Sequence, residues 1–235
     1  KLRMNPGNIG FGDKRDIQFE SFIHTAIKYD KPVRIGANFG SLDQIVLTEL
    51  MDKNSKLLDP KSSDEVAKEA LIVSALASAK KARDMGLAAN KIVISAKISN
   101  VPDLIDIYEK LASDCDYPLH LGLTEAGSRL KGTVSSAIAI GSLLQKGIGN
   151  TIRVSLTPMP GEPRVQEVKI CQEILQSLGL KMFKPQITSC PGCGRTKTAS
   201  FQELVDKTSK FIDKKLSDWK KICPHIGNLK IAVMG

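Results

Sequence analysis

The 235-residue chain has few aromatic side chains, 5% of the total, and no basic stretch in which Phe or Tyr is interleaved. This composition argues against a surface that stacks single-stranded nucleic acid. Its apolar runs are far shorter than the roughly 20 residues of a membrane-spanning helix. The five cysteines are an odd number without a regular framework, which is atypical of a disulfide-stapled scaffold. We therefore expect a cytoplasmic protein with neither a membrane nor a nucleic-acid partner.

The charge balance is basic. Thirty-four Lys and Arg against 25 Asp and Glu give a net charge of +9. An excess of positive charge favours anionic partners, which include nucleic acids, acidic lipids and phosphorylated metabolites. A basic surface that only keeps the protein in solution explains the same net charge equally well. The charge alone therefore does not identify a partner.

Short β-rich runs alternate with segments of helical period along most of the chain. The runs lie at 2–5, 33–38, 91–97, 118–123 and 151–156. One helix start is marked by the capping-box spacing from Ser62 to Glu65, and that helix is predicted to end near Gly86. Alternation of this kind predicts a parallel sheet with helices packed outside it.

Five strand–helix units favour part of a closed (β/α)8 TIM barrel, which needs eight units of about 30 residues each. The chain begins at Lys1 and ends on a strand-like stretch at 231–235. We therefore expect a fragment cut at both ends, with about three barrel units missing. An open doubly wound sheet is the alternative, but the glycine-rich GxGxxG turn typical of it does not occur in this sequence.

The pattern changes near Lys184. Residues 185–188 and 229–233 have strand character, and the spacing from Ser200 to Glu203 marks the start of a long amphipathic helix. The predicted apolar face of that helix comprises Phe201, Leu204, Val205, Phe211, Ile212, Leu216 and Trp219. We predict a substrate-binding partial TIM barrel over 1–183 and the start of a small α/β domain over 184–235.

Cationic and amide side chains collect at the ends of the predicted strands, which form the working face of a parallel barrel. Burying several unpaired charges is costly, so a shared polyanion such as a phosphate or diphosphate ester explains the set. For any single member an internal salt bridge explains it equally well. The candidate ligand-binding residues are Arg3, Asn5, Arg34, Asn38, Lys97, His120, Arg153 and Ser155.

Glu125 is the one acid among these residues. Beside a substrate hydroxyl its carboxyl group could deliver or remove a proton, and the alternative is that it only neutralises Arg34 or Arg153. His120 could act as a donor or a proton shuttle. We assign no role to His24, on a helix exterior, or to His225, in a loop.

Cys190 and Cys193 form a CxxC motif, which is moderately specific. It is compatible with half of a zinc site, a redox dithiol or half of an iron–sulfur site. By spacing alone, Cys223, His225 or residues beyond Gly235 could complete a zinc site, and Cys223 could be the third thiolate of a cluster.

Five segments together closely resemble motifs of the 4-hydroxy-3-methylbut-2-enyl diphosphate synthase family, in the family's order and over almost the whole chain. They are Leu2–Gly10, Val33–Asn38, His120–Gly127, Thr151–Leu156 and Cys190–Thr196. The resemblance implies a TIM barrel followed by a small iron–sulfur domain, in a homodimer. It also implies reductive opening of 2-C-methyl-D-erythritol 2,4-cyclodiphosphate, with electrons from flavodoxin or ferredoxin passing through a 4Fe–4S cluster.

The resemblance assigns roles to residues of this chain. The eight candidate ligand-binding residues would hold the cyclic diphosphate, and Glu125 would be the acid near the leaving hydroxyl. Cys190 and Cys193 would be two cluster ligands, with the remaining ligands expected beyond Gly235. Cys223 does not match a ligand position of the family.

Two other functions stay open on the residues alone. The first is a phosphosugar aldolase or isomerase barrel in which Lys97 forms a Schiff base. The second is a zinc-stabilised nucleic-acid-binding module, suggested by the net charge of +9 and the CxxC motif.

Overall fold

The computed structural model describes residues 2–9, 13–161, 163–192 and 200–234, without the side chains of 13–15. They form two compact units, Lys1–Cys171 and Gln172–Gly235. The predicted domain boundary between 183 and 184 stays a prediction. Within the described part of the chain, no helix combines the length and apolarity needed to cross a membrane.

The first unit alternates strands and helices in chain order. Its strands are β1 (Leu2–Met4), β2 (Val33–Asn38), β3 (Ile92–Lys97), β4 (His120–Leu121) and β5 (Thr151–Ile152). Its helices are α1 (Asp13–Lys28), α2 (Gln44–Asn54), α3 (Ser63–Asp84), α4 (Val101–Asp114) and α5 (Arg129–Gln145), and α6 (Val165–Ser177) spans the boundary between the units.

Neighbouring strands of the first unit are parallel and follow one another in sequence. β1 pairs with β2, β2 pairs with β3 along six residues, and β4 pairs with β5. A single parallel bridge between Ile94 and Leu119 links β3 to β4. This order never reverses, as it would at the switch point of a doubly wound sheet. The predicted parallel α/β alternation is confirmed, although the described strands do not close into a barrel.

The two faces of β2 and β3 differ in character because side chains alternate along a strand. One face is apolar and at most 4% exposed: Val33, Ile35, Ala37, Ile92, Ile94 and Ala96. Helix α3 packs against both strands. It does so through buried alanines, among them Ala75 and Ala79, whose small side chains allow a close approach. The other face of the strands carries Arg34, Gly36, Asn38, Ser95 and Lys97.

Helix α3 begins as its sequence predicts. The Ser62 hydroxyl accepts the Glu65 N–H at 3.3 Å, and the Glu65 carboxylate accepts the Ser62 N–H at 2.9 Å. The helix ends at Asp84, and Gly86 follows with a φ of +99°. The capping box and the stop near Gly86 are confirmed.

Several details differ from the sequence prediction. Helix α2 was not predicted; it has no buried residue, and the Asp43 carboxylate caps it by accepting the N–H groups of Ile45 and Val46 at 3.1 and 3.4 Å. Ile17 of α1 is 66% exposed because the buried face runs through Phe19 and Ile23 instead. Strands β4 and β5 have two residues each rather than six, since their regular pairing ends after two positions.

The second unit contains β6 (Gln186–Ser189), α7 (Ser200–Ile222) and β7 (Lys230–Val233), with β6 and β7 parallel. Helix α7 packs against both strands. Phe201 and Ile212 are buried there, whereas Leu204 and Phe211 are about half exposed, so the predicted apolar face is only partly covered. The Cys190 N–H donates to the Val233 carbonyl at 3.2 Å, which places Cys190 at the end of the ladder.

Candidate functional site

Strands β1, β2 and β3 bring cationic and amide side chains side by side. Asn38 and Lys97 end β2 and β3 as predicted, whereas Arg3 is the middle residue of β1 and Arg34 the second residue of β2, so their predicted placement at strand ends is wrong. Arg3 lies opposite Arg34, and Asn38 lies opposite Lys97 in the parallel register. A Cβ atom added to Gly36 would lie 3.2 Å from Arg3 Nε. The Arg3 side chain therefore crosses the sheet next to Gly36, and a larger residue there would have to displace it.

Lys97 is the most buried cation of this group, at 7% exposure. Burial is the main cause that lowers its pKa to about 7 from an ordinary 10.5. The positive charges of Arg153, Arg34 and Arg3 contribute to the same shift, in that order. The described residues place no carboxylate within ion-pair distance of Lys97, so its amine titrates near neutral pH.

Arg34 and Asn38 carry polar atoms that the described protein leaves unsatisfied. Arg34 Nη1 and Asn38 Oδ1 are buried and have no hydrogen-bond partner among the described residues. Burial, then Arg3 and Arg153, lowers the pKa of Arg34. Because buried polar atoms are nearly always hydrogen-bonded in proteins, these two atoms are available as a donor and an acceptor for a bound ligand.

Arg153 follows β5 and joins the group from the opposite side of Lys97. A Cβ atom at Gly122 would lie 2.3 Å from the Arg153 carbonyl oxygen and 3.5 Å from Lys97 Nζ. Only glycine fits this contact, which holds the backbone after β4 against the backbone after β5. Arg3, Arg34, Lys97 and Arg153 are called the strand-end cations below.

Replacing Gly122 with Ala should therefore destabilise the fold by about 3 kcal/mol, because the new methyl group overlaps a backbone carbonyl that cannot move aside cheaply. Chemical denaturation measures the change. Gly141→Ala is the matched control, since Gly141 lies within α5 and has no atom within 4 Å of the added Cβ. The control should be slightly stabilising, and equal stability of the two variants would contradict the close contact.

Other predicted ligand-binding residues have local partners. The Asn5 amide donates to Ser41 Oγ at 2.8 Å and accepts the Gly7 N–H at 3.2 Å. His120 is 8% exposed, and its Nδ1 lies 2.7 Å from Thr151 Oγ1. Ser155 is half-buried after β5. For these three residues a role in substrate binding stays a prediction.

Glu125 lies between β4 and α5, where it is exposed. Its φ of +52° is unusual for a residue other than glycine, and such strain often accompanies functional sites. No described hydrogen bond or ion pair connects its carboxylate to the strand-end cations. Its assignment as an acid stays a prediction. His24 and His225 are exposed, in the positions expected from the sequence.

Sequence analysis missed the part that Tyr108 plays beneath the strand ends. Its hydroxyl accepts the Ala96 N–H at 3.2 Å and donates to the His120 carbonyl at 2.6 Å. The available signal was chemical: a buried Tyr hydroxyl needs a hydrogen-bond partner.

Cys190 is half-buried directly after β6. Its Sγ accepts the Gly192 N–H at 3.4 Å, in a turn where Gly192 has a φ of +87°. Cys193 lies outside the described residues. Within the described ranges, no group of three His, Cys, Asp or Glu could hold a metal ion.

Comparison with known proteins identifies a family that this chain matches. The family described as the GcpE TIM-barrel domain matches residues 1–172. A protein of Wolbachia sp. subsp. Brugia malayi (strain TRS) is 55% identical over all 235 residues, which cover 55% of its length. Proteins of Ehrlichia ruminantium (strain Gardel) and Ehrlichia canis (strain Jake) are 57% and 54% identical over the whole chain, which covers 56% of each.

All three relatives bear the name 4-hydroxy-3-methylbut-2-en-1-yl diphosphate synthase (flavodoxin). The chain spans about half the length of the curated relatives it matches. The family resemblance of its motifs is confirmed, and the chain belongs to the GcpE TIM-barrel domain family.

Proposed function

We propose that this chain binds the substrate of an iron–sulfur reductase that converts 2-C-methyl-D-erythritol 2,4-cyclodiphosphate into 4-hydroxy-3-methylbut-2-enyl diphosphate. One observation supports this function most directly: among the described residues, no carboxylate forms an ion pair with the strand-end cations. A diphosphate supplies the missing counter-charge. The names of the relatives specify the product, 4-hydroxy-3-methylbut-2-en-1-yl diphosphate, which is also a diphosphate.

The substrate's two phosphoryl groups each carry one negative charge at neutral pH. Arg34 is suited to donate from Nη1 to a phosphoryl oxygen, since that atom is buried without another described acceptor. Lys97 adds a charge-assisted hydrogen bond once it is protonated. Arg3 and Arg153 complete a positive lining on the two sides of Lys97, and we propose that Asn5, Asn38, His120 and Ser155 bind the remaining polar groups.

Ring opening increases the negative charge on the diphosphate. Two electrons and one proton convert the doubly charged cyclic substrate into water and a triply charged linear diphosphate ester. Fixed cations attract the diphosphate more strongly in the transition state, where its negative charge has increased, than in the bound substrate. They therefore lower the barrier to ring opening in addition to binding the substrate. We propose that Glu125 delivers the proton to the leaving hydroxyl, which departs as water.

Cys190 and Cys193 are the proposed ligands of a 4Fe–4S cluster in the second unit, taken here as the start of the cluster domain. Cys190, the described member, directly follows β6, and its Sγ accepts the Gly192 N–H at 3.4 Å, which holds the side chain in place. When bound, the cluster supplies electrons to the substrate. Flavodoxin, named for the relatives, is the proposed donor. We further propose a cytoplasmic homodimer.

Anaerobic reconstitution of the full-length protein with iron and sulfide tests the cluster. We expect a broad visible absorption band typical of iron–sulfur charge transfer, which is lost in Cys190→Ser and retained in Cys223→Ser. Cys223 is the matched control because it is an exposed cysteine of the same unit. An unchanged spectrum in Cys190→Ser would refute the ligand assignment.

One observation favours a second candidate function. A lysine whose pKa lies near 7 is suited to Schiff-base chemistry, as in the aldolase or isomerase alternative. Borohydride reduction in the presence of a phosphorylated ketose, followed by mass spectrometry of the peptide with Lys97, distinguishes the two. We expect no adduct, and a trapped sugar on Lys97 would favour the aldolase. The nucleic-acid-binding alternative was suggested by the net charge of +9 and the CxxC motif, and the relatives do not support it.

A further inference from the structure

The ladder between β3 and β4 is interrupted at the end that carries the proposed anion site. Below the interruption, the Ile94 N–H donates to the Pro118 carbonyl at 2.9 Å. Above it, the Thr124 N–H donates to the Ile98 carbonyl at 3.2 Å. In a regular parallel ladder, the next bond after Ile94 to Pro118 joins residues two positions further along each strand. Those groups are the Ala96 N–H and the His120 carbonyl.

The Tyr108 hydroxyl occupies the place of that missing bond. It accepts the Ala96 N–H at 3.2 Å and donates to the His120 carbonyl at 2.6 Å. Tyr108 itself is completely buried, at 0% exposure. A direct N–H to carbonyl bond spans about 2.9 Å, whereas here two hydrogen bonds lie in series. The hydroxyl therefore satisfies both backbone groups and holds the two strands apart.

The interruption lies next to the residues that bind the anion under the proposed function. Ala96 immediately precedes Lys97, and His120 lies two residues before Gly122. The Lys97 Nζ is 3.5 Å from the position that a Cβ atom at Gly122 would occupy. Any change in the distance between Ala96 and His120 is consequently transmitted to the gap between Lys97 and the Gly122 backbone.

We propose that Tyr108 is a positioning residue whose hydroxyl sets the spacing of β3 and β4 and so places Lys97 in the anion site. This inference rests on the proposed function of that site. Without the hydroxyl, the Ala96 N–H and the His120 carbonyl either pair directly and narrow the gap, or remain unsatisfied and loosen both strands. Both results displace Lys97 from the position that binds a phosphoryl oxygen.

Tyr108→Phe in the full-length protein tests the proposal, because it keeps the buried ring and removes both hydrogen bonds. We expect the affinity for the cyclic diphosphate, measured by calorimetry, to fall on the order of ten-fold. The melting temperature should fall by about 2–6 °C. Ile107→Val is the matched control: Ile107 is buried beside Tyr108 on α4. The control should lower the melting temperature without changing the affinity.

A double-mutant cycle with Lys97→Met shows whether Tyr108 acts through Lys97. We expect Tyr108→Phe to have little further effect on affinity once Lys97 is gone. A lower melting temperature with unchanged affinity, or an equal affinity loss in both Lys97 backgrounds, would overturn the positioning role and leave the proposed function intact. A wild-type protein that does not bind the cyclic diphosphate would overturn both.

Discussion

Replacing Lys97 with Met should weaken binding of the cyclic diphosphate at neutral pH by about 2–5 kcal/mol, which is roughly 30-fold to several thousand-fold in affinity. The loss is large because Lys97 is buried and no described carboxylate shares its charge. A phosphoryl oxygen would then lose a partner in a place where water cannot replace it well. Methionine keeps the length and apolar stem of the side chain. Calorimetric titration of the full-length variants measures the change.

The same residue makes binding dependent on pH. Lys97 has a pKa of about 7 in the free protein, and a bound anion favours its protonated form. Wild-type affinity should therefore fall as the pH rises above about 7, by at most ten-fold for each pH unit because one proton is involved. The cyclic diphosphate itself has no ionisation in this range, since each phosphorus carries one strongly acidic group. The affinity of Lys97→Met should not change with pH in this way. A wild-type affinity that stays constant above pH 7 would refute the coupling between binding and protonation of Lys97.

Without ligand, the effect of Lys97 on stability has the opposite sign. Its pKa is lower in the folded protein than the ordinary 10.5, so the unfolded chain binds more protons. The cost of the buried charge is fully present below about pH 7 and disappears as the pH rises toward 10.5. The free energy of unfolding of the wild type, measured relative to Lys97→Met, should therefore increase over that range.

Replacing Arg34 with Ala should produce a comparable loss of affinity, about 2–5 kcal/mol. Arg34 Nη1 is buried without a described hydrogen-bond partner. Arg34→Ala therefore removes a donor that, under the proposed function, binds a phosphoryl oxygen of the ligand. Arg34→Lys keeps the charge but not the planar fork of donors, and its affinity should lie between those of the wild type and Arg34→Ala. Arg83→Ala, at an exposed position of α3, should bind as the wild type does. Equal affinities in Arg34→Ala and Arg83→Ala would show that Arg34 is structural.

Local chemistry explains which parts of the fold could be predicted from the sequence. The capping box of Ser62 and Glu65, the stop at Gly86 and the β-branched runs of β2 and β3 each depend on neighbouring residues. The alternation of strands and helices along the chain was sufficient to predict that neighbouring strands pair in parallel and in chain order. The position of Lys97 at the end of β3 followed from the same reasoning, whereas Arg34 is the second residue of β2 and reaches the group only through its long side chain.

The features that were missed depend on contacts between distant residues. Helix α2 buries no side chain completely, so its sequence shows little helical periodicity. The contact of Gly122 with the Arg153 carbonyl and the insertion of Tyr108 between β3 and β4 require the exact register of the strands. The exposure of Glu125 likewise depends on the path of the backbone after β4, which the residue types alone do not determine.

The central claim is that the strand-end cations form a diphosphate site, and calorimetric titration of the full-length protein with the cyclic diphosphate in two buffers of different ionisation enthalpy tests it most directly. We predict saturable binding with uptake of a proton at pH 8. The affinity falls in both Lys97→Met and Arg34→Ala, and the proton uptake is lost in Lys97→Met. Binding without proton uptake and with equal affinity in all three proteins would contradict the account.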